Sequence, residues 1–172
     1  MDNVALARYL KDKKIPVKTF NMINQDYAWG QDSRKDFILS MEKLYPDAKP
    51  AEDLLPKFGA GQYGTEISAL MSKPATVVHS SLWGGDLQSF ILQSAPRGLF
   101  KKSQVILSAG DHVLPGLGEK MPDGTILGAR GAYGLMAPKS KLNDWWWENY
   151  QKANNVYPCL LYTSDAADDL TR

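Results

Sequence analysis

The side chains able to do chemistry in this chain gather in three short glycine-bearing stretches: NQDYAWG (24–30), SSLWGGD (80–86) and SAGDH (108–112). Each sets polar groups beside a glycine, and the first two add aromatic rings. Such stretches suit hydrogen bonding and ring contact with a small solute better than proton transfer. A serine nucleophile would need a GxSxG elbow, and the sequence contains none. The only histidines are His79 and His112. His79 closes the apolar run ATVVHS and reads as a structural imidazole, whereas His112 beside Asp111 reads as a helix-cap pair. Two histidines and the single Cys159 give no four-ligand set for zinc, so no metal is expected. No cofactor is expected either.

Two further motifs carry weaker signals. GAGQYG (59–64) fits GxGxxG, and Asp86 lies where a ribose-binding acid would stand. That fingerprint needs a buried strand running into its first glycine. Here the approach is Leu55-Pro56-Lys57-Phe58, and proline removes a ladder donor, so the motif reads as a glycine-rich turn before a helix at Thr65. A nucleotide-using enzyme on this turn is one rival reading, and a ligand sensor on the same scaffold is another. Trp145, Trp146 and Trp147 fall on a helical stretch, where three successive residues span about 200° of circumference. One core-facing stripe cannot hold all three, so at least one ring should meet a second lobe, a partner or solvent.

The elements that must position these residues alternate. Leu6, Ala7 and Leu10 mark a helix over 3–14; VKTFNMI (17–23) reads as a buried strand; Phe37, Ile38, Met41 and Leu44 mark a helix from Tyr27 to Pro46. A weak strand (51–55) precedes a helix carrying Ile67, Leu70 and Met71, and the strand 75–80 precedes one carrying Leu87, Phe90 and Ile91. The strand 104–108 leads to a short helix near Leu114, and the strand 125–129 leads toward a helix over 141–154. Strand–helix alternation at this spacing predicts an α/β fold, a three-layer Rossmann-like lobe with a mostly parallel sheet covered on both faces. Ligands of such sheets bind beyond the carboxyl ends of the strands, which is where the three stretches fall.

Composition excludes several alternatives. The 172 residues make about one domain, and 44% apolar with 23% charged residues is an ordinary globular balance. A net charge of +1 without a basic cluster argues against nucleic acid. The longest apolar run, 131–137, is far short of the roughly twenty residues of a spanning helix. The amphipathic start MDNVALARYLKDKK lacks the apolar core of an export signal. At the other end, CLLYTSDAADD resembles the in-frame translation of a sequencing-library adapter, so residues 159–172 are expected to be foreign and 1–158 to be native.

DYAWGQD opening a helix after a strand, then LLPKFGAGQYG, VVHSSLWGGDLQSFILQ and GARGAYG in that order, resembles the type I periplasmic substrate-binding proteins of ABC transporters. The likeness is to the branched-chain amino acid, amide and urea branch, and to the second, C-terminal lobe. It implies a two-lobed binder, periplasmic or otherwise extracytoplasmic, without catalysis. The binder closes on a small solute (an amino acid, amide or urea-like molecule) and delivers it to a membrane permease. The first lobe would be missing from this chain, which is then a fragment. Carried over by position, the family's first aromatic contact falls on Tyr27. Its second falls near Leu82 or Trp83, Trp83 being chosen because an indole covers an apolar face and still donates a hydrogen bond. The acid that meets a ligand ammonium falls on Asp111, the only carboxylate of SAGDH. Ser80 and Ser81 complete the expected ligand contacts as hydroxyl donors.

Overall fold

The structure, a computed structural model, describes residues 2–129 and 139–155. The chain divides into a larger unit, 1–128, and a smaller one, 129–172. In the larger unit the chain order is α1 (Asp2–Asp12), β1 (Thr19–Ile23), α2 (Ala28–Leu44), β2 (Lys49–Leu54), α3 (Gly64–Ser72), β3 (Val77–Ser80) and α4 (Gly84–Ser94). It continues through α5 (Leu99–Lys102), β4 (Gln104–Leu107), a 3-10 turn (Asp111–Val113), α6 (Leu114–Leu117), a second 3-10 turn (Gly118–Lys120) and β5 (Ile126–Leu127). All four strand pairings are parallel, in the spatial order β2-β1-β3-β4-β5.

Period-two alternation sorts the strand residues onto two cores. Phe20 and Met22 of β1, Val77 of β3 and Ile106 of β4 join Leu6, Leu10, Phe37 and Met41 from α1 and α2. Their neighbours Ile23, Val78, Val105 and Leu107 point the other way, onto Ile67, Leu70, Leu87, Phe90 and Ile91 of α3 and α4. Helices therefore cover both faces of the sheet, as the continuous apolar character of its inner strands requires. Each of these fully buried side chains contributes on the order of 1.5–3 kcal/mol of transfer free energy. β2 differs, being mostly exposed and beginning Lys49-Pro50. A proline is tolerated there because β2 is an edge strand, where a missing N–H leaves no neighbour unpaired.

The expected elements form, with shifts at their ends. β5 is only Ile126–Leu127 where 125–129 is expected, and the single-turn α5, entered through Gly98 at φ +84°, carries too short a pattern to be read from sequence. In the smaller unit, α7 (Lys141–Asn154) has the expected bounds; Ser140 caps it by accepting from the Asn143 N–H, and Asn155 closes it in the left-handed region. None of its side chains is fully buried, and Trp145 is 60% exposed. Residues 130–134 of GARGAYG, the rest of the apolar run to Ala137, and Cys159 with the tail around it lie outside the described residues.

Candidate functional site

The strand order places a topological switch between β1 and β3. From β1 the chain steps outward to β2 on one side, then returns to build β3, β4 and β5 on the other. The loops leaving these two strands diverge, and the crevice between them is where open α/β sheets take ligands. Tyr27 follows β1 and Trp83 follows β3. Each occupies the position just before its helix in extended backbone, at φ −159° and −145°, and neither side chain caps the helix it precedes. The rings are therefore free of helix-capping duty and meet one another: the Trp83 Nε1–H donates to the Tyr27 hydroxyl at 2.6 Å. Phe58 completes the group, with its ring centroid 5.4 Å from Tyr27 and 5.7 Å from Trp83. Tyr27 and Trp83 are half-buried, and Phe58 is 57% exposed.

Behind the rings lies a fully buried polar layer. Asn24 Oδ1 accepts from both the Ser81 N–H, at 3.1 Å, and the Ser81 hydroxyl, at 2.7 Å. Trp29 Nε1–H donates to the Ser81 carbonyl, and the Ser80 hydroxyl accepts from the Leu82 N–H at 3.1 Å. Ser80 and Ser81, expected from sequence to be ligand contacts, are wholly buried; Ser81 ties the β1 and β3 loops together, while the Ser80 hydroxyl serves its own loop. Gly30 explains the last letter of YAWG: a Cβ there would stand 1.8 Å from the Gln25 carbonyl oxygen, so only glycine lets α2 start this close to the loop.

Asp86 does something the GxGxxG pattern does not suggest. Its carboxylate accepts from the Gly59 N–H at 2.7 Å, the Gly61 N–H at 3.3 Å and the Gln25 side-chain amide at 2.7 Å. Burial works against its ionisation, but these hydrogen bonds outweigh burial and hold the carboxyl below its usual range. Burial, together with the neighbouring Asp86 charge, pushes the Tyr63 phenol up. Backbone N–H groups that a pyrophosphate would require are thus engaged by an acid, which would also repel it. The geometry supports the turn and not the nucleotide reading.

His79 behaves as a structural imidazole. It is fully buried, stacks on Phe37 with centroids 4.1 Å apart, and shares a 2.9 Å hydrogen bond with Asn3; burial lowers its pKa to about 3. His112 departs from the expected cap pair. Its Nε2 accepts the Gly84 N–H at 2.7 Å, so it caps α4, a helix distant in sequence, and its neighbour Asp111 lies at the edge of ionic range, 4.0 Å from Nδ1. Burial lowers the His112 pKa, and the Asp111 charge partly opposes this. Asp111 itself is buried to 8% exposure in the loop after β4. Concave regions of about 270 and 610 Å³ lie around 100–105 and 118–127, away from the rings.

Sequence reasoning named Tyr27 and Trp83, whose rings the structure brings together, but passed over Phe58 and the bonds Asp86 makes to the glycine turn. Phe58 had a signal: an aromatic between an edge strand and a glycine turn has no core to join.

A family model described as "Periplasmic binding protein" matches residues 1–160. No curated protein matches the chain. Among similar solved structures is an amino acid ABC transporter substrate-binding protein from Pseudomonas fluorescens Pf-5, at 15% identity and TM-score 0.75, covering 91% of this chain and 41% of that one. A solute-binding protein of an ABC transporter from R. palustris, solved with benzoate, shares 17% identity over 91% of this chain and 42% of its own, with TM-score 0.73. A leucine-binding protein from Thermotoga maritima shares 13% identity at TM-score 0.69, over 91% of this chain and 43% of its own. Identities this low speak to fold. The chain spans about two fifths of each of these relatives.

Proposed function

Since the chain belongs to the periplasmic binding protein family of ABC transporters, we propose that it is the second lobe of a solute-binding component whose Tyr27–Trp83 face closes over a small solute. The observation that carries this is the 2.6 Å bond joining the two rings at the β1/β3 switch point. A ring pair with its polar atoms satisfied offers an apolar surface at the place where this sheet topology takes ligands. The proposal assigns no reaction to the site.

In this reading residues 1–158 form the C-terminal lobe, 159–172 are the translated adapter, and a first lobe in the parent chain supplies the opposing wall of the cleft. The parent is extracytoplasmic and hands its solute to a permease. The solute is an amino acid, amide or urea-like molecule. Asp111, buried beside His112, is the group that would answer a ligand ammonium. Ser80 and Ser81 shape the loops behind the rings. A second reading, an aromatic carboxylic acid, is favoured by a specific feature: Phe58 adds a third ring, and one structural relative was solved with benzoate. If half the contacts of a ~1 μM site were absent, affinity would fall to ~1 mM, so the isolated lobe should bind weakly.

The test is to sequence the genomic locus across codon 158 and upstream of codon 1, then titrate the encoded protein with L-leucine, acetamide, urea and benzoate by calorimetry. An upstream α/β lobe and a micromolar titration with one probe support the proposal. A locus that encodes the tail through Arg172 and a protein that binds none of the four would sink it.

A further inference from the structure

The rings sit on three separate loops, Tyr27 after β1, Phe58 after β2 and Trp83 after β3, and one side chain touches all three supports. Asp86 lies in the first turn of α4, the helix that Trp83 precedes. Through Oδ2 it accepts from Gln25, two residues before Tyr27, and from the N–H of Gly59, the residue after Phe58; through Oδ1 it accepts from Gly61. Gln25 and Asp86 are both buried, at 0% and 8% exposure, whereas Phe58 is 57% exposed. A ring left that open, on an exposed stretch of loop (57–60), has little beyond its two ring contacts to keep it in place. Charge-assisted bonds to the two glycine amides that follow it supply the restraint, being stronger than neutral ones and part-buried here.

We propose that Asp86 is a positioning residue: it fixes Phe58 against the Tyr27–Trp83 pair and so completes a three-ring surface for the apolar or planar part of the solute. The inference rests on the solute-binding reading above for the use of that surface, but not for its assembly. Gly59 and Gly61, at φ +74° and +64°, fit this role, since positive φ lets both N–H groups turn toward one carboxylate. The resemblance of GAGQYG to a phosphate loop thus has a physical basis, with an internal carboxylate in the position of the anion.

The assembly can be read directly in the 172-residue chain labelled with 5-fluorotryptophan, the Trp83 fluorine signal being assigned with W83F. F58A defines the signal of Trp83 without its third ring. D86N, nearly isosteric, should move the Trp83 signal toward that of F58A and speed amide exchange at Gly59 and Gly61 at least tenfold, while the His79–Phe37 core signals stay unchanged. D86A should do the same more completely. Should F58A move the Trp83 signal while D86N and D86A leave both it and the glycine amides unchanged, Asp86 does not position the ring. A fall in Tm in D86N without these local changes also overturns the proposal, since it marks a merely structural acid. Benzoate and L-leucine titrated into the unsubstituted locus product report separately on the solute-binding reading. For whichever probe binds, F58A and D86N should each weaken it at least fivefold, and equal affinity refutes the three-ring surface. If neither binds, the solute-binding reading fails, and the positioning role is still decided by the fluorine signal.

Discussion

The helices that follow β1 and β3 begin in the same way and are held by different forces. Each is preceded by an aromatic residue in extended backbone, and each lacks a side-chain cap from that residue. α2 is seated chiefly by close contact, Gly30 lying so near the Gln25 carbonyl that a methyl group has no room, with Trp29 donating to the Ser81 carbonyl beside it. α4 is seated by polar groups, with His112 accepting from Gly84 and Asp86 reaching back to the neighbouring loops. No imidazole holds the first helix start, and the second depends on an imidazole staying neutral. A site built across both inherits a rigid wall on the Tyr27 side and a titratable one on the Trp83 side.

The largest effect expected from disturbing this arrangement is on the rigid side. G30A forces backbone atoms apart, because the three atoms nearest the new Cβ all belong to the Gln25 backbone. It should lower unfolding free energy by about 3 kcal/mol or more, at the upper end of overpacking costs, in urea titration monitored by circular dichroism. A loss under 1 kcal/mol would mean that the loop can give way, and the contrast between the two helix starts would disappear.

Acid should act on the other side. Both imidazoles are held below their ordinary pKa, so the unfolded chain takes up protons near pH 6.5 that the fold resists. Their contribution is complete above that pH and is lost as pH falls toward the folded values, about 3 for His79. His79 should cost roughly 1.4 kcal/mol per pH unit below 6.5, or about 2 kcal/mol between pH 7 and 5, and His112 should add to this in the same direction. Asp86 stays out of this window, since its carboxyl is depressed and its contribution fades only below about pH 4. H112Q keeps an acceptor for Gly84 without titrating and should reduce the slope measured by urea unfolding at several pH values. An unaltered slope would assign the whole pH dependence to His79.

Smaller effects should separate binding from stability. Y27A or W83A in the protein encoded by the locus should weaken solute binding more than tenfold, about 1.4 kcal/mol, by calorimetry. Y27F removes the hydroxyl that accepts the 2.6 Å bond and should cost about 1 kcal/mol of stability. H79A should leave solute affinity within a few-fold while lowering stability, because its partners Phe37 and Asn3 belong to the core and not to the loops. Complete loss of binding in H79A would show that the buried layer behind the rings and the core act as one unit.

Much of the fold was legible because it is written in periodicity. Phe37 and Met41, Ile67 and Leu70, Leu87 and Ile91 recur at helical spacing, and β1, β3 and β4 are apolar on both faces, which suits inner parallel strands. The site was legible only in part. Tyr27 and Trp83 could be named because glycine beside an aromatic at a strand exit is a local pattern. The destination of each polar group could not be, because hydrogen-bond partners of a buried loop lie far off in sequence. His112 caps a helix 28 residues earlier, and Ser81 answers to Asn24, 57 residues before it.

The sequence by itself determined the alternating α/β order, the buried strands, the helix over 141–154 and the loops that carry the rings, since each follows from spacing along a few turns of chain. Tertiary structure alone decided that Tyr27, Phe58 and Trp83 meet, that Ser80 and Ser81 face inward, and that Asp86 grips the glycine turn instead of facing a ribose. The physical reason is the switch in strand order. Placing β3 beside β1, and not beside β2, brings loops more than fifty residues apart into hydrogen-bonding distance. No local pattern encodes that neighbour relation.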